Sequence, residues 1–102
     1  MGYLLRYREH EIELKPGRFV IGRASECELA LDDPMVSRQH AVLVVATEGI
    51  SVEDLGSRNG VLVNDVRVSG AHGLAPGDRV MGLLSALFLR GEALKGGSSR
   101  GD

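Results

Sequence analysis

Apolar and polar residues alternate along this chain with a period of two, in short runs separated by turn residues. Leu5 and Tyr7 alternate with Arg6 and Arg8. Ile12 and Leu14 alternate with Glu11 and Glu13, and the Glu9-His10 link between the two runs is short enough for a hairpin. Pro16-Gly17 marks a turn, after which Phe19-Val20-Ile21 resumes a strand ending at Gly22. Residues 28–31 predict a short strand before the breaker Asp32-Asp33-Pro34. Residues 41–46 form an unbroken, valine-rich apolar run, the pattern of a strand buried on both faces. Its hairpin partner is Ile50-Ser51-Val52-Glu53, across Thr47-Glu48-Gly49. Val61-Leu62-Val63, closed by Asn64-Asp65, then Val66-Arg67-Val68, Arg79-Val80-Met81 and Ala86-Leu87-Phe88-Leu89 complete the series, with a turn at Ala75-Pro76-Gly77-Asp78.

Roughly ten short strands with turns every 8–12 residues or so predict an all-β sandwich or barrel. Gly or Pro interrupts nearly every window long enough to hold a helix. The length of 102 residues fits one domain, expected over residues 1–91. From residue 92 to 102 the composition falls to Gly, Ser and charge, with Gly96-Gly97-Ser98-Ser99 reading as a flexible tail or the start of a linker.

Composition narrows the function classes. Hydrophobic residues at 43% can supply a core, and a charged fraction of 25% argues against disorder. The net charge of −2 speaks against general nucleic-acid binding, which needs a basic face. Cys27 stands alone, so no disulfide framework and no zinc ligand set is expected, and a reducing, cytoplasmic compartment fits. The charged, alternating start is not a signal peptide, and no apolar stretch approaches the roughly 20 residues of a membrane span.

Three turn-like segments carry the candidate chemistry: Gly22-Arg23, Ser37-Arg38-Gln39-His40 and Gly56-Ser57-Arg58-Asn59-Gly60. Arginine presents a planar fork of donors that matches phosphate oxygens bidentately, and serine hydroxyls complete such a cradle. If the three loops share one end of the sandwich, Arg23, Ser37 and Arg38 converge on one phosphate dianion. Asn59, whose amide both donates and accepts, then reaches a peptide backbone.

Gly22-Arg23, Ser37-x-x-His40 and Asn59-Gly60, with Asp32-Asp33-Pro34, Val63-Asn64 and Gly77-Asp78 between and after them, resemble a forkhead-associated (FHA) domain from about Leu5 to Leu89. The resemblance implies a sandwich of about eleven short, mostly antiparallel strands in two sheets, with loops at one end that bind phosphothreonine peptides. By the same resemblance Arg23 and Ser37 are phosphate ligands, Arg38 assists them, and Asn59 fixes the peptide backbone. Gly22, His40 and Gly60 hold the loops in shape, while Ser57 and Arg58 belong to a variable loop that adds a phosphate contact or reads neighbouring side chains. The implied function is non-catalytic, phosphorylation-dependent protein–protein recognition in Ser/Thr kinase signalling. The partner is a phosphothreonine protein or peptide, with no cofactor and no metal. The domain is expected to be monomeric and able to serve inside a larger signalling protein. The alternative is an interaction domain of the same fold that ignores phosphate. Two departures stand out: Val61 where the family often has threonine, and the apolar turn Met81-Gly82-Leu83-Leu84-Ser85, which predicts a greasy patch.

Rival chemistries have weaker support. Ser37, His40 and Asp32 or Asp54 invite a hydrolytic triad, but no Gly-x-Ser-x-Gly turn is present. His10, His72 and Cys27 lack the spacing of a metal site, and there is no Gly-x-x-x-x-Gly-Lys-Ser/Thr nucleotide loop. Arg100-Gly101-Asp102 matches an integrin tripeptide by chance in a chain of 14 glycines. Arg6, Arg8, Arg67, Arg79 and Arg90 read as surface charge on or beside strands.

Overall fold

The computed structural model describes residues 2–81 and the backbone of residues 84–88. The predicted tail at 92–102, Leu89, Arg90 and most of the apolar turn at 81–85 therefore lie outside the described residues or their described side chains. Among the described residues eleven strands follow one another: β1 (Tyr3–Tyr7), β2 (His10–Leu14), β3 (Gly17–Gly22), β4 (Leu29–Ala30), β5 (Ala41–Ala46), β6 (Gly49–Asp54), β7 (Val61–Val63), β8 (Val66–Val68), β9 (Ala71–Leu74), β10 (Arg79–Val80) and β11 (Leu84–Phe88). They form a six-stranded sheet in the order β2-β1-β11-β10-β7-β8 and a five-stranded sheet in the order β4-β3-β5-β6-β9. Among the described pairings only β3 with β4 is parallel.

The alternation seen in the sequence decides which face of each strand turns inward. Tyr3 and Leu5 of β1, and Val61 and Val63 of β7, come from one sheet. Ile21, Leu43, Ile50 and Val52 come from the other, and all eight belong to a single buried cluster. The β5 run is buried on both faces along part of its length: Ala41 and Leu43 join that cluster, while Val42, pointing the opposite way, is equally inaccessible. Leu31 and Val36, from the long connection between β4 and β5, plug the core at its loop end.

Three local readings are corrected. The β1–β2 turn is made by Arg8-Glu9, not Glu9-His10; Tyr7 pairs with His10, and Arg8 takes the left-handed backbone (φ 57°) that a two-residue hairpin requires. The strand expected at residues 28–31 narrows to Leu29–Ala30, since only two residues reach β3. Strand β9 has no counterpart in the hydrophobic pattern. Its sequence, Ala-His-Gly-Leu, has no β-branched residue, and its extended form is set by pairing with β6.

Register places the three arginine-bearing segments. Ile21 pairs with Ala41, and Ala41 pairs with Asp54, so the end of β3, the start of β5 and the end of β6 lie in one row across the sheet. The loops that continue from those three points leave the same end of the sandwich.

Candidate functional site

The first loop leaves β3 through Gly22, where the backbone of the second loop comes too close for a side chain. A Cβ at Gly22 would lie 2.1 Å from the Arg38 carbonyl oxygen. The two loops are then zipped together: the Arg23 amide donates to the Ser37 carbonyl (2.9 Å), the Ala24 amide to the Arg38 carbonyl (3.1 Å) and the His40 amide to the Ile21 carbonyl (2.9 Å). The Cys27 thiol donates to the same Arg38 carbonyl at 3.2 Å. Asp33 shapes the run into the second loop, its side chain accepting from the Met35 amide at 2.9 Å.

His40 connects the second loop to the third from a buried position, with 2% exposure. Its Nδ1 accepts from the Ser37 amide (3.0 Å). The ring proton therefore resides on Nε2, which donates to the Gly60 carbonyl (2.7 Å). The third loop is built on Asp54, whose carboxylate accepts from the Ser57 amide (2.8 Å). The Gly60 amide in turn donates to the Ser57 hydroxyl (2.9 Å). Burial alone would raise the Asp54 carboxyl. The bonds from the Ser57 amide and hydroxyl and from the Gly56 amide outweigh burial and hold it below its ordinary range.

The candidate side chains project from this frame. Arg23 Nε donates to the Val36 carbonyl at 3.0 Å, which fixes the guanidinium and leaves its terminal nitrogens unspent. The Ser37 hydroxyl accepts from the Arg58 amide (3.0 Å) and keeps its own proton to donate. Asn59 Nδ2 donates to the Met35 carbonyl (2.7 Å), which orients the amide and leaves Oδ1 as an acceptor. Arg23, Ser37, Arg58 and Asn59 line one open cleft with Pro34, Met35 and Val36.

Of the nine residues singled out in the sequence, four line the cleft, and Gly22, His40 and Gly60 belong to the frame behind it. Arg38 and Ser57 are not among the lining residues. The Arg38 carbonyl faces the first loop, and the Ser57 hydroxyl is engaged within its own turn by Asp54 and Gly60. Sequence reasoning missed Asp54 as the anchor of the third loop. Its signal was an Asp three residues before a Ser, a spacing suited to a side-chain-to-amide turn. It also missed Met35, whose carbonyl holds Asn59 and whose side chain is 63% exposed beside the cleft. No triad forms, because His40 spends both ring nitrogens on backbone groups and the Ser37 hydroxyl contacts the Arg58 amide. Among the described residues no group of three His, Cys, Asp or Glu side chains could hold a metal ion.

A two-sheet sandwich that gathers loops at one end around an arginine-lined cleft has the build of a recognition module, in which a rigid scaffold positions loop side chains. The chain belongs to the FHA domain family, whose model matches residues 19–81. It is similar to the glycogen accumulation regulator GarA of Mycobacterium tuberculosis, at 41% identity over 71 residues, covering 69% of this chain and 43% of that protein. The structure of Mycobacterium tuberculosis EmbR in complex with a low-affinity phosphopeptide superposes with a TM-score of 0.79 at 28% identity, covering 85% of this chain and 24% of the other. A structure from an analysis of phosphothreonine-dependent FHA domain interactions superposes equally well, with a TM-score of 0.79 at 26% identity, covering 87% of this chain and 98% of the other. The chain spans less than half the length of the curated relatives it matches.

Proposed function

We propose that the cleft binds a phosphothreonine residue within an extended peptide, and that the domain serves phosphorylation-dependent protein–protein recognition in Ser/Thr kinase signalling without catalysing a reaction. The observation that carries this reading is the convergence of Arg23, Ser37, Arg58 and Asn59 on one cleft, with the Arg23 guanidinium pinned through Nε and its outer nitrogens unspent. A phosphate contributes about −1.5 to −2 charge and three acceptor oxygens, and charge-assisted bonds to it are roughly twice as strong as neutral ones. Arg23 takes two oxygens, the Ser37 hydroxyl a third, and Arg58 closes the cleft from the opposite loop. Asn59 Oδ1 accepts from a peptide amide next to the phosphoresidue. Arg38 adds long-range field from outside the cleft, and Ser57 acts by holding its turn. The phosphopeptide complex of EmbR supports the same ligand class for this chain. A monomeric domain in a reducing, cytoplasmic setting suits the single buried thiol of Cys27.

Selection from an oriented phosphothreonine peptide library, followed by titration of the enriched peptide, tests the reading. Binding in the micromolar range is expected, with none detectable after dephosphorylation. Arg23→Ala and Ser37→Ala each weaken it by at least about tenfold, the loss of one charge-assisted bond or more. Enrichment that persists with unphosphorylated peptide, or that survives Arg23→Ala, overturns it.

A further inference from the structure

Gly60 ends the third loop with φ +83°, and one side chain covers its open face. A Cβ built there would lie 2.7 Å from Arg67 Nε, 2.8 Å from Cζ and 2.9 Å from Nη2. Three atoms of the guanidinium plane are thus almost equidistant from that point, so the plane rests face-on against the turn that carries Asn59. Arg67 comes from β8 and pairs with Leu62 of β7, which places both side chains on the outer face of the six-stranded sheet. Gly60 and Leu62 also border a second, mostly apolar cleft with Met35, Asn59 and Met81, and Met35 and Asn59 border the arginine cleft as well. Among the described residues Arg67 has no hydrogen-bond or ion-pair partner, so its donors are unspent.

An arginine that serves only solubility swings freely in water and costs side-chain entropy to hold still. Arg67 is held by packing, at a glycine whose lack of a Cβ makes room for it, and its charge stays exposed. A guanidinium with its orientation set in advance loses less freedom on binding an anion. We infer that Arg67 is a specificity-determining residue of the peptide site: its guanidinium takes a second anionic group of the bound peptide, on the Leu62 side of Asn59. This rests on the phosphothreonine reading of the main cleft. Asn59 and Gly60 are adjacent, and an extended peptide advances about 3.3 Å per residue, so the second anion belongs to a side chain within a few residues of the phosphothreonine. A carboxylate and a second phosphate share the required chemistry.

The test is a set of phosphothreonine peptides with alanine flanks, in which Asp, and separately phosphoserine, replaces each flanking alanine in turn. Affinities are measured for the wild-type domain, Arg67→Gln, Arg67→Lys and Arg58→Gln. One flanking position should emerge at which Asp tightens wild-type binding by about three- to fivefold, the range of an exposed but oriented pair. A larger gain with phosphoserine at that position identifies a second phosphate as the better ligand, and an equal or smaller gain identifies a carboxylate; either supports the inference. Arg67→Gln should abolish the gain while binding the all-alanine phosphopeptide like wild type, Arg67→Lys should keep part of it, and Arg58→Gln should keep it whole. A flat scan, a gain that survives Arg67→Gln, or an equal weakening of every peptide by Arg67→Gln (the mark of a residue that only braces Gly60) overturns it while the phosphothreonine reading stands. Absence of any phosphate-dependent binding to wild type overturns both.

Discussion

Two residues of the frame carry constraints that no substitution satisfies. Gly22 lies where even a methyl group meets a backbone oxygen at 2.1 Å, and a backbone neighbour cannot rotate away as a side chain can. Gly22→Ala must push the first two loops apart, straining the three amide bonds that zip them. Its expected cost is about 2–3 kcal/mol, a fall of roughly 10 °C or more in Tm for a domain of this size, read by thermal denaturation. Phosphopeptide affinity should fall in parallel, because Arg23 takes its position from the strained segment. His40 has the opposite character: it is held by what it bonds, with one nitrogen for the Ser37 amide and the other for the Gly60 carbonyl. These residue types were visible in the sequence as a motif, and so was the inward role of the histidine. The use of the Ser57 hydroxyl was not. A serine beside an arginine in a loop looks the same in sequence whether it faces a ligand or closes its own turn, and only the position of Asp54 decides.

At the scale of elements, the short strands of the six-stranded sheet are tied at the end where β7 turns into β8. Asn64 and Asp65 take left-handed backbone (φ 52° and 69°), the geometry that matches strand twist in a tight hairpin. The Asn64 amide then reaches another turn, donating to Asp78 at 3.1 Å and accepting from the Arg79 amide at 3.0 Å. Asp78 also accepts from the Ala75 amide at 2.9 Å. The arrangement fixes the entry to β10, which is only two residues long. Asn64→Gly keeps the backbone geometry and loses the side-chain bonds, for an expected cost of about 1–2 kcal/mol by denaturant unfolding. Asn64→Ala adds about 1 kcal/mol more for the left-handed backbone, so the difference between the two variants measures conformation alone. The pairs Asn64-Asp65 and Gly77-Asp78 were legible as turns. That the two turns bond each other was not, because they are joined only through the strand order β10-β7-β8. Strand β9 escaped for a related reason: its conformation comes from its neighbour β6 and not from its own side chains.

For the whole molecule, the all-β class followed from periodicity, which left sandwich and barrel both open; the two-sheet form was what the family resemblance implied. The convergence of the loops could be stated only as a condition, since register is a long-range property that local pattern does not encode; the row Ile21–Ala41–Asp54 supplies it. Two carboxyls, Asp54 at the end of that row and Asp78 in the turn before β10, give stability a pH dependence. The carboxyl of Asp54 is held below its ordinary value despite burial, and that of Asp78 is held down by the Ala75 amide and the Asn64 side chain. A carboxyl whose pKa is lower folded than unfolded stabilises the fold fully above its unfolded value of about 3.9, and that contribution is lost as pH falls through the folded value. Chemical denaturation at stepped pH should therefore show stability level from pH 7 to about 5 and falling below about 4. The gap between wild type and Asp54→Asn should close over the same acid interval. A gap that stays constant down to pH 2 would show that the charge of Asp54 plays no part.

His40 also bears on how recognition by this domain can be altered. Each loop completes its neighbour: the second holds Arg23 of the first, the third gives Ser37 its amide partner, and the histidine of the second grips the end of the third. Transplanting the second loop from a relative with a different preference would import half of three separate joints and leave the other halves unmatched. New preferences are better sought at positions outside those joints, such as Met35, whose exposed side chain lines the arginine cleft, and Leu62, which lines the apolar cleft beside it. The loop cluster stands as a set, and its rim is the part open to revision.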